Sequence, residues 1–183
     1  MSDTAQQKTG TARDGAGEGA APSGSIEFFD NQTSRQKIEL LRKIPVFRDL
    51  SRKEVLQVDE LLHERSYERN EIIFEEGDAG HGVFIILSGK VRVKSSRKLI
   101  ETAAAEFGPG DVLGELSLFD EAPRIATAEA AERTLAVALF QSEFSSLLTR
   151  NKSIAAKVLL KISETMSRRV RRLLLAEKGL PSV

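Results

Sequence analysis

The feature that most limits the fold of this chain is a series of short apolar runs between Tyr67 and Phe140. The runs in NEIIFEEGD, GVFIILSGKVRVKSS and ATAEAAERTLAVALF are each long enough for one or two strands, and Gly77 and Gly89 fall at turns. Many short strands separated by glycine turns are typical of antiparallel barrels and rolls, and not of alternating strands and helices. The sequence therefore predicts a small β-barrel in the middle of the chain.

Helical periodicity precedes these runs. Apolar residues at helical spacing from Ile38 predict a first helix, which Pro45 ends. In LSRKEVLQVDELLHERSY, residues 50–67, Ser51 and Glu54 have the spacing of a capping box. A second helix is therefore predicted over this stretch.

Helical periodicity returns after Phe140. A short helix is predicted to end near Arg150, and a long helix is predicted from about Ser153 to Lys178. The expected fold class is mostly β with flanking helices, that is, N-terminal helices, a β-barrel and a long C-terminal helix.

The N-terminal segment has a different composition from the rest of the chain. Residues 2–24 contain no Leu, Ile, Val or Phe, and include five glycines. Such a segment buries too little apolar surface to offset the entropy of ordering it, so residues 1–25 are predicted to be a disordered tail. The remaining chain is divided into a domain over residues 26–150 and a C-terminal helix with a short tail over residues 151–183.

Charge and residue content argue against several classes of function. The 27 basic and 27 acidic side chains cancel, so no net charge attracts nucleic acid or an anionic membrane. The chain has no cysteine, no apolar run of about 20 residues for a membrane span, and no apolar segment typical of a signal peptide. A cytoplasmic location without a membrane span is therefore expected.

Catalytic and metal-ligating residues are not expected. His63 and His81 are the only histidines, and no cysteine accompanies them, whereas a structural zinc site needs about four ligands. No serine or threonine stands in a recognisable context with a base. The prediction is that the protein is not an enzyme and holds no metal.

The stretch GELSLFDEAPRIAT, residues 114–127, contains the candidate binding site. Gly114 allows close approach of the backbone to a ligand, and the residues after it can form one helical turn with free N–H groups. Glu115 can accept hydrogen bonds from a sugar hydroxyl, and Arg124 has the charge and fork geometry that suit phosphate oxygens. An amide of the next strand or the Thr127 hydroxyl could add donors. This set describes a nucleotide site; the alternative is that both charged groups are ordinary surface residues.

The same segment resembles the phosphate-binding cassette of the cyclic nucleotide-binding domains. These domains occur in bacterial catabolite-activator regulators, in regulatory subunits of cAMP-dependent protein kinase and in cyclic-nucleotide-gated channels. The family pattern Gly-Glu-Leu-small-Leu, then Pro-Arg-x-Ala-Thr, stands here at residues 114–118 and 123–127. The resemblance covers residues from about 40 to 150, including LLRKIPVFRDLS and IIFEEGDAGHGVFIILSGKVRV. It implies a jelly-roll-like double-stranded β-helix.

The resemblance also implies roles for individual residues. Glu115 would hold the ribose 2′-OH, and Arg124 would pair with the exocyclic oxygens of the cyclic phosphate. Gly114 would permit the approach, and backbone N–H groups after it and after the arginine would complete the cradle. The predicted ligand-binding residues are Gly114, Glu115, Leu116, Ser117, Arg124, Ile125, Ala126 and Thr127.

Two residues depart from the family pattern. Ile125 stands where the family often has Ala, Ser or Thr, and a hydroxyl at that position helps to bind cGMP in several members. Its absence lowers the expectation for cGMP, so that cAMP is the preferred ligand. Leu113 stands where Phe is frequent, which is a substitution between core residues. No prosthetic group is implied.

The function implied by the resemblance is that of a stand-alone regulatory module without a DNA-binding domain. It would bind a cyclic mononucleotide and relay occupancy through the C-terminal helix to an unidentified effector protein. In the family this helix often forms a lid or a dimer contact, so a homodimer is a possible assembly. The alternative is a degenerate fold that serves as a protein-interaction scaffold or binds another nucleotide, such as a cyclic dinucleotide.

The arginine-rich stretch SRRVRRLLLAEKG, residues 167–179, allows two interpretations. Its four arginines could form a basic face for an acidic partner, nucleic acid or a membrane surface. They could equally be the solvated face of an amphipathic helix.

Overall fold

A computed structural model of the chain describes residues 34–95, 106–120 and 122–177. The tail predicted over residues 1–25 lies outside the described residues, and so does Lys178 at the predicted end of the last helix.

Helices flank the β-structure on both sides, as predicted. α1 spans Ser34–Lys43 and α2 spans Arg52–Asp59, with the 3-10 helix Pro45–Phe47 between them. After the strands, α3 spans Gln141–Arg150 and α4 spans Lys152–Glu177. The short and the long C-terminal helix are both present at the predicted places.

The strands form two antiparallel four-stranded sheets. One sheet has the order β1-β8-β3-β6 and the other has the order β2-β7-β4-β5. The strands are β1 His63–Tyr67, β2 Ile72–Phe74, β3 Gly82–Ser88, β4 Val91–Lys94, β5 Glu106–Phe107, β6 Val112–Leu113, β7 Thr127–Ala130 and β8 Thr134–Phe140. The expected class, mostly antiparallel β in a jelly roll with flanking helices, is confirmed.

The predicted closure into a barrel is wrong. The two sheets remain separate, and the only pairing outside the named strands, in the part of the chain that the structure describes, is the isolated bridge between Ala79 and Pro123. β5 and β6 lie at the sheet edges and have two residues each, which is too short for a hydrogen-bond ladder that would join one sheet to the other. Apolar side chains from both sheets, including Ile86, Val91 and Ala128, pack together between them instead.

The second helix is shorter than predicted. The capping box is present, since Ser51 N donates to Glu54 Oε2 at 2.7 Å and Glu54 N donates to Ser51 Oγ at 3.4 Å. The helix nevertheless ends at Asp59, and the last part of the predicted helix is strand β1. There Tyr67 pairs with Thr134 of β8 and is buried, so a long-range ladder outweighs the local helical pattern.

The first half of α4 belongs to the main core. Ile154, Val158 and Ile162 are almost fully buried. On the polar side of the same segment, Lys157 pairs with Glu54 at 2.7 Å and Lys161 pairs with Asp49 at 2.9 Å. These contacts attach α4 to the N-terminal helical region.

Candidate functional site

A pocket of about 200 Å³ opens beside the 3-10 turn Glu115–Leu118, which follows β6 directly. Its wall combines side chains of β2, β4, β5 and β6 with the turn itself, the segment that leads into β7, and one residue of α4. Segments far apart in sequence therefore meet at this point.

Arg124 is one of the charged residues that line this pocket. Its side chain is turned inward, and the residue is only 7% exposed. Nη1 donates to the carbonyl of Gly114 and to Ser117 Oγ, both at 3.1 Å, and Nη2 donates to the carbonyl of Gly82 at 2.8 Å. These bonds fix the guanidinium against the turn and the start of β3.

The Arg124 guanidinium has N–H donors that these three hydrogen bonds do not use. An arginine has five N–H donors, and Arg124 uses three of them in these bonds. Its buried Nε finds no acceptor among the described residues. The Cζ atom lies 4.4 Å from the ring centroid of Phe74 and 5.9 Å from that of Phe84. The aromatic faces favour the cation without consuming hydrogen-bond donors, so Arg124 can still donate to an anion.

Two opposing effects act on the ionisation of Arg124. Burial lowers the pKa of Arg124 from its ordinary value, and the carboxylates of Asp78 and Glu115 oppose that change. An arginine nevertheless stays protonated at neutral pH. The pocket therefore contains a permanent positive charge in surroundings that exclude water.

Gly114 provides the space for this arrangement. Its φ of +71° lies in the left-handed region, which favours glycine. A Cβ atom there would collide with the Arg124 guanidinium, approaching its Cζ to 3.0 Å. Both the backbone conformation at residue 114 and the position of the Arg124 guanidinium therefore require glycine.

Glu115, the first residue of the turn, is mostly buried and is paired with α4. Its Oε1 accepts a hydrogen bond from Nη1 of Arg169 at 2.5 Å. Nη2 of Arg169 donates to the carbonyl of Val112, and its Cζ lies 4.8 Å from the ring centroid of Phe107. Arg169 thus crosses one side of the pocket and connects the long helix to the turn.

The strand that follows Arg124 is supported by the turn at residues 75–78. Arg124 N donates to Asp78 O, and Gly77 N donates to Arg124 O, both at 2.8 Å. Glu76 N donates to the Thr127 hydroxyl at 2.9 Å. These bonds hold the backbone of Arg124 in place from the side away from the turn.

A family comparison agrees with this geometry. The model of the family described as "Cyclic nucleotide-binding domain" matches residues 64–151, from β1 to the end of α3. The chain carries a cyclic nucleotide-binding domain.

Proteins with similar domains include the "Cyclic AMP receptor protein" of Thermus thermophilus, 36% identical over 107 residues, which are 58% of this chain and 50% of that protein. The "cAMP-dependent protein kinase regulatory subunit" of Mycosarcoma maydis is 34% identical over 111 residues, or 60% of this chain and 21% of that protein. The chain thus spans half or less of the length of these two relatives.

A solved structure shares the fold. A cyclic nucleotide-binding domain from Methylobacillus flagellatus superposes with a TM-score of 0.70 at 24% identity, and the match covers 81% of this chain and 87% of that one.

Seven of the eight residues predicted as ligand-binding line the pocket of this cyclic nucleotide-binding domain. They are Gly114, Glu115, Leu116, Ser117, Arg124, Ile125 and Ala126. The eighth, Thr127, is the first residue of β7, where its hydroxyl accepts the Glu76 amide. Their roles in ligand binding stay a prediction.

The structure shows where two of the predicted ligand-binding groups lie, the Ser117 amide and the Ile125 side chain. Ser117 N donates to Gly114 O at 3.2 Å, so this amide is already used inside the turn. Ile125 is 44% exposed and lies at the mouth of the pocket, so its side chain does not fill the interior. The bulk of Ile125 therefore leaves room beside Arg124.

Sequence reasoning missed Arg169 and the two phenylalanines beside Arg124. Arg169 is one of four arginines in a short stretch, and helical periodicity alone does not say which of them meets the domain. Phe74 and Phe84 stand in apolar runs that signalled only strands. A clue to Arg169 was available, because a buried carboxylate at Glu115 needs a cationic partner.

The described residues contain neither a metal site nor a membrane-spanning helix. Within the described ranges, no group of three or more His, Cys, Asp or Glu side chains could hold a metal ion. No helix in those ranges has the length and apolar character that a bilayer crossing requires.

Proposed function

We propose that this domain binds a cyclic mononucleotide, preferentially cAMP, in the pocket beside Arg124, and that occupancy is relayed through α4 to a partner protein. The observation that carries the proposal is the buried Arg124 guanidinium, whose Nε–H finds no acceptor among the described residues. A buried donor without a partner is costly, and a ligand oxygen would remove that cost.

A cyclic phosphate has the charge and geometry that this guanidinium fits. It carries one negative charge and two exocyclic oxygens, and an arginine can contact such a pair of oxygens with two N–H groups. Arg124 is anchored through Gly114, Ser117 and Gly82, so its donors are oriented before the ligand arrives. Little conformational entropy is then lost on binding.

Glu115 is the candidate for the ribose. Its carboxylate accepts from Arg169 through Oε1, and a carboxylate has about four acceptor positions, so a sugar 2′-OH can bind at the same time. A phosphate cannot take that place, because two negative charges repel. The polar groups of the pocket thus distinguish the two ends of the sugar phosphate.

The size of the pocket supports a relay through α4. Its volume of about 200 Å³ lies below the roughly 300 Å³ at which pockets for small-molecule ligands begin. A sugar phosphate fits such a space, whereas the base must displace or contact the helix that carries Arg169. Because Ile162 and the residues before it belong to the core, the moving part of α4 begins beyond it.

The preference for cAMP and the regulatory role have further support. Ile125 at the pocket mouth has no hydroxyl to offer a guanine base. The two relatives are described as a cyclic AMP receptor and as a regulatory subunit, which supports a regulatory and non-catalytic role here. We extend the same proposal to the division of the chain into a binding domain over residues 26–150 and a C-terminal helix with a short tail over residues 151–183, in which the part of α4 beyond Ile162 acts as the lid.

Calorimetric titration and thermal melting with cAMP, cGMP, 5′-AMP and 2′-deoxy-cAMP test the proposal. cAMP at a hundredfold excess over Kd is expected to stabilise the fold by about 2.7 kcal/mol. cGMP and 2′-deoxy-cAMP should bind more weakly, and 5′-AMP weakest. Arg124→Lys keeps the charge but loses the fork, and should lower cAMP affinity at least tenfold.

Arg92→Lys on β4 is the matched control, since Arg92 is half-exposed and pairs with Glu129 outside the pocket. It should bind cAMP as the wild type does. No binding of any cyclic mononucleotide to the folded protein would refute the proposal. Binding of a cyclic dinucleotide alone, or of nothing, would favour the degenerate fold.

A further inference from the structure

A groove of about 600 Å³ lies between α1 and the end of β3. We call it the α1 groove. Its wall residues include Arg35, Glu39, Leu40 and Lys43 of α1, with Leu87 and Ser88 of β3. Among the described residues, none lines both this groove and the pocket beside Arg124. The α1 groove is therefore a separate surface feature of the domain.

The walls of the α1 groove combine apolar and basic side chains. Leu87 belongs to the main core and Leu40 packs against it, and both line the groove. Arg35 and Lys43 are exposed, and neither makes an ion pair within the described ranges. The groove therefore suits a segment that carries both large apolar and acidic side chains.

The chain just before α1 contains a segment of this composition. It is IEFFD, residues 26–30, which ends four positions before Ser34, the first residue of α1. Elsewhere in residues 1–33, all of which lie outside the described residues, there is no Leu, Ile, Val or Phe. Large apolar side chains are stabilised by burial, so a surface that covers this IEFFD segment is expected.

The distances allow the IEFFD segment to reach the α1 groove. Residues 31–33, which begin with an asparagine, are enough to reverse the chain direction. An extended segment running back along α1 covers about 10 Å from Asp30 to Glu27. On the helix, about 12 Å separate Arg35 from Lys43. The two acidic residues therefore match the two basic residues in spacing and in order.

The charges of α1 favour the same arrangement. Its first turn contains Arg35 and no acidic residue, whereas the N-terminus of a helix favours negative charge. Asp30 beside Arg35 would supply that charge. Further along the wall, the carboxylate of Glu39 pairs with Arg42 at 3.5 Å, so its charge is already balanced. An acidic segment can therefore lie along this side of α1.

We propose that the IEFFD segment folds back along α1 and occupies the α1 groove of the same chain. The phenylalanines lie against the two leucines of the groove, Asp30 lies beside Arg35, and Glu27 lies beside Lys43. Burial of the apolar side chains is the main stabilisation, because exposed ion pairs contribute little. This contact goes beyond the proposed ligand binding and makes residues 26–30 part of the folded domain.

Tryptophan fluorescence of the full chain tests the proposal, because the protein has no tryptophan of its own. Phe28→Trp should emit at shorter wavelength than Ala20→Trp and should be quenched several-fold less by acrylamide. Adding Leu40→Glu to Phe28→Trp should make the two reporters alike, since a carboxylate in the groove opposes both the apolar ring and the acidic segment. Leu160→Glu, at a leucine of α4 that is 57% exposed, is the matched control and should leave the emission of Phe28→Trp unchanged.

A charge exchange tests the pairing without a change in the core. R35E/K43E should raise the acrylamide quenching of Phe28→Trp several-fold, and E27K/D30K added to it should restore the protection. R52E/K53E on α2 makes the same change in net charge at exposed residues outside the groove and should have no effect. Circular dichroism shows whether each variant is folded, and if the Leu40→Glu variant is not, the charge exchange decides.

Three outcomes would overturn the proposal. One is an emission of Phe28→Trp like that of Ala20→Trp, and another is no recovery of protection with E27K/D30K. The third is a protection that disappears on dilution, because the segment would then lie on a second copy of the chain. All measurements are made without nucleotide, so each result is independent of whether cAMP binds.

Discussion

Arg169 in α4 donates a hydrogen bond to Glu115 in the 3-10 turn, with 2.5 Å between Nη1 and Oε1. The two residues are 54 positions apart in the chain. Both side chains are mostly buried, so the pair is screened less than a surface ion pair. The contact attaches α4 to the turn that lines the pocket.

The Glu115–Arg169 pair should contribute measurably to stability. In a double-mutant cycle with Glu115→Gln and Arg169→Met, we expect a coupling energy of about 1–3 kcal/mol from urea unfolding. The control cycle uses Glu68 and Arg133, an exposed pair at 3.6 Å, where coupling should be below about 0.5 kcal/mol. Equal coupling energies in the two cycles would show that burial of Glu115 does not strengthen the ion pair.

Gly114 should be less tolerant of a side chain than another glycine with positive φ. Gly77 has φ +95°, and a Cβ there meets no atom within 4 Å, so Gly77→Ala should cost only backbone strain of about 1–2 kcal/mol. Gly114→Ala adds the collision with Arg124 and should cost at least about 1 kcal/mol more. Urea unfolding of both variants measures the difference. If the two alanine variants are equally stable, the guanidinium is not held against Gly114.

Tyr67 should make stability decrease at high pH. Burial raises the pKa of Tyr67 from its ordinary value to about 12. The folded state thus holds the proton more tightly than the unfolded state. The resulting stabilisation is complete below about pH 10 and is lost as pH rises toward 12, a loss of about 2–3 kcal/mol.

Tyr67 is the only tyrosine and the chain has no tryptophan, so tyrosinate absorbance reports this group alone. The folded protein should titrate about two units above the urea-denatured chain. Tyr67→Phe should remove this part of the pH dependence of the free energy of unfolding and leave the part that comes from the lysines. A folded-state midpoint near 10 would contradict the burial of the hydroxyl.

Much of the site could be predicted because its residues are close together in sequence. Gly114, Glu115 and Arg124 lie within one segment of 14 residues, 114–127. The chemical roles of these residues can be predicted from the sequence alone. The capping box at Ser51 and Glu54 is equally local, and so are the turns at Gly77 and Gly89, both of which have positive φ. Each depends on interactions between residues a few positions apart.

The errors concern interactions between distant residues. The segment HERSY continues a helical pattern, but pairing with β8, from Tyr67 with Thr134 to His63 with Ala138, makes it a strand. Residues 106–113, a stretch with two glycines, include the two-residue strands β5 and β6. Their shortness leaves the sheets separate, which the number of apolar runs could not reveal.

By itself, the sequence determined the order of helices and strands and the contiguous cassette with its glycine, glutamate and arginine, because spacing along the chain sets local conformation. The tertiary structure alone decided which arginine of α4 reaches Glu115 and which aromatic rings lie against Arg124. It also decided that the Nε–H donor of that guanidinium finds no partner among the described residues. These outcomes depend on packing between segments more than 30 residues apart, where the burial of a charge requires whatever partner the fold brings near.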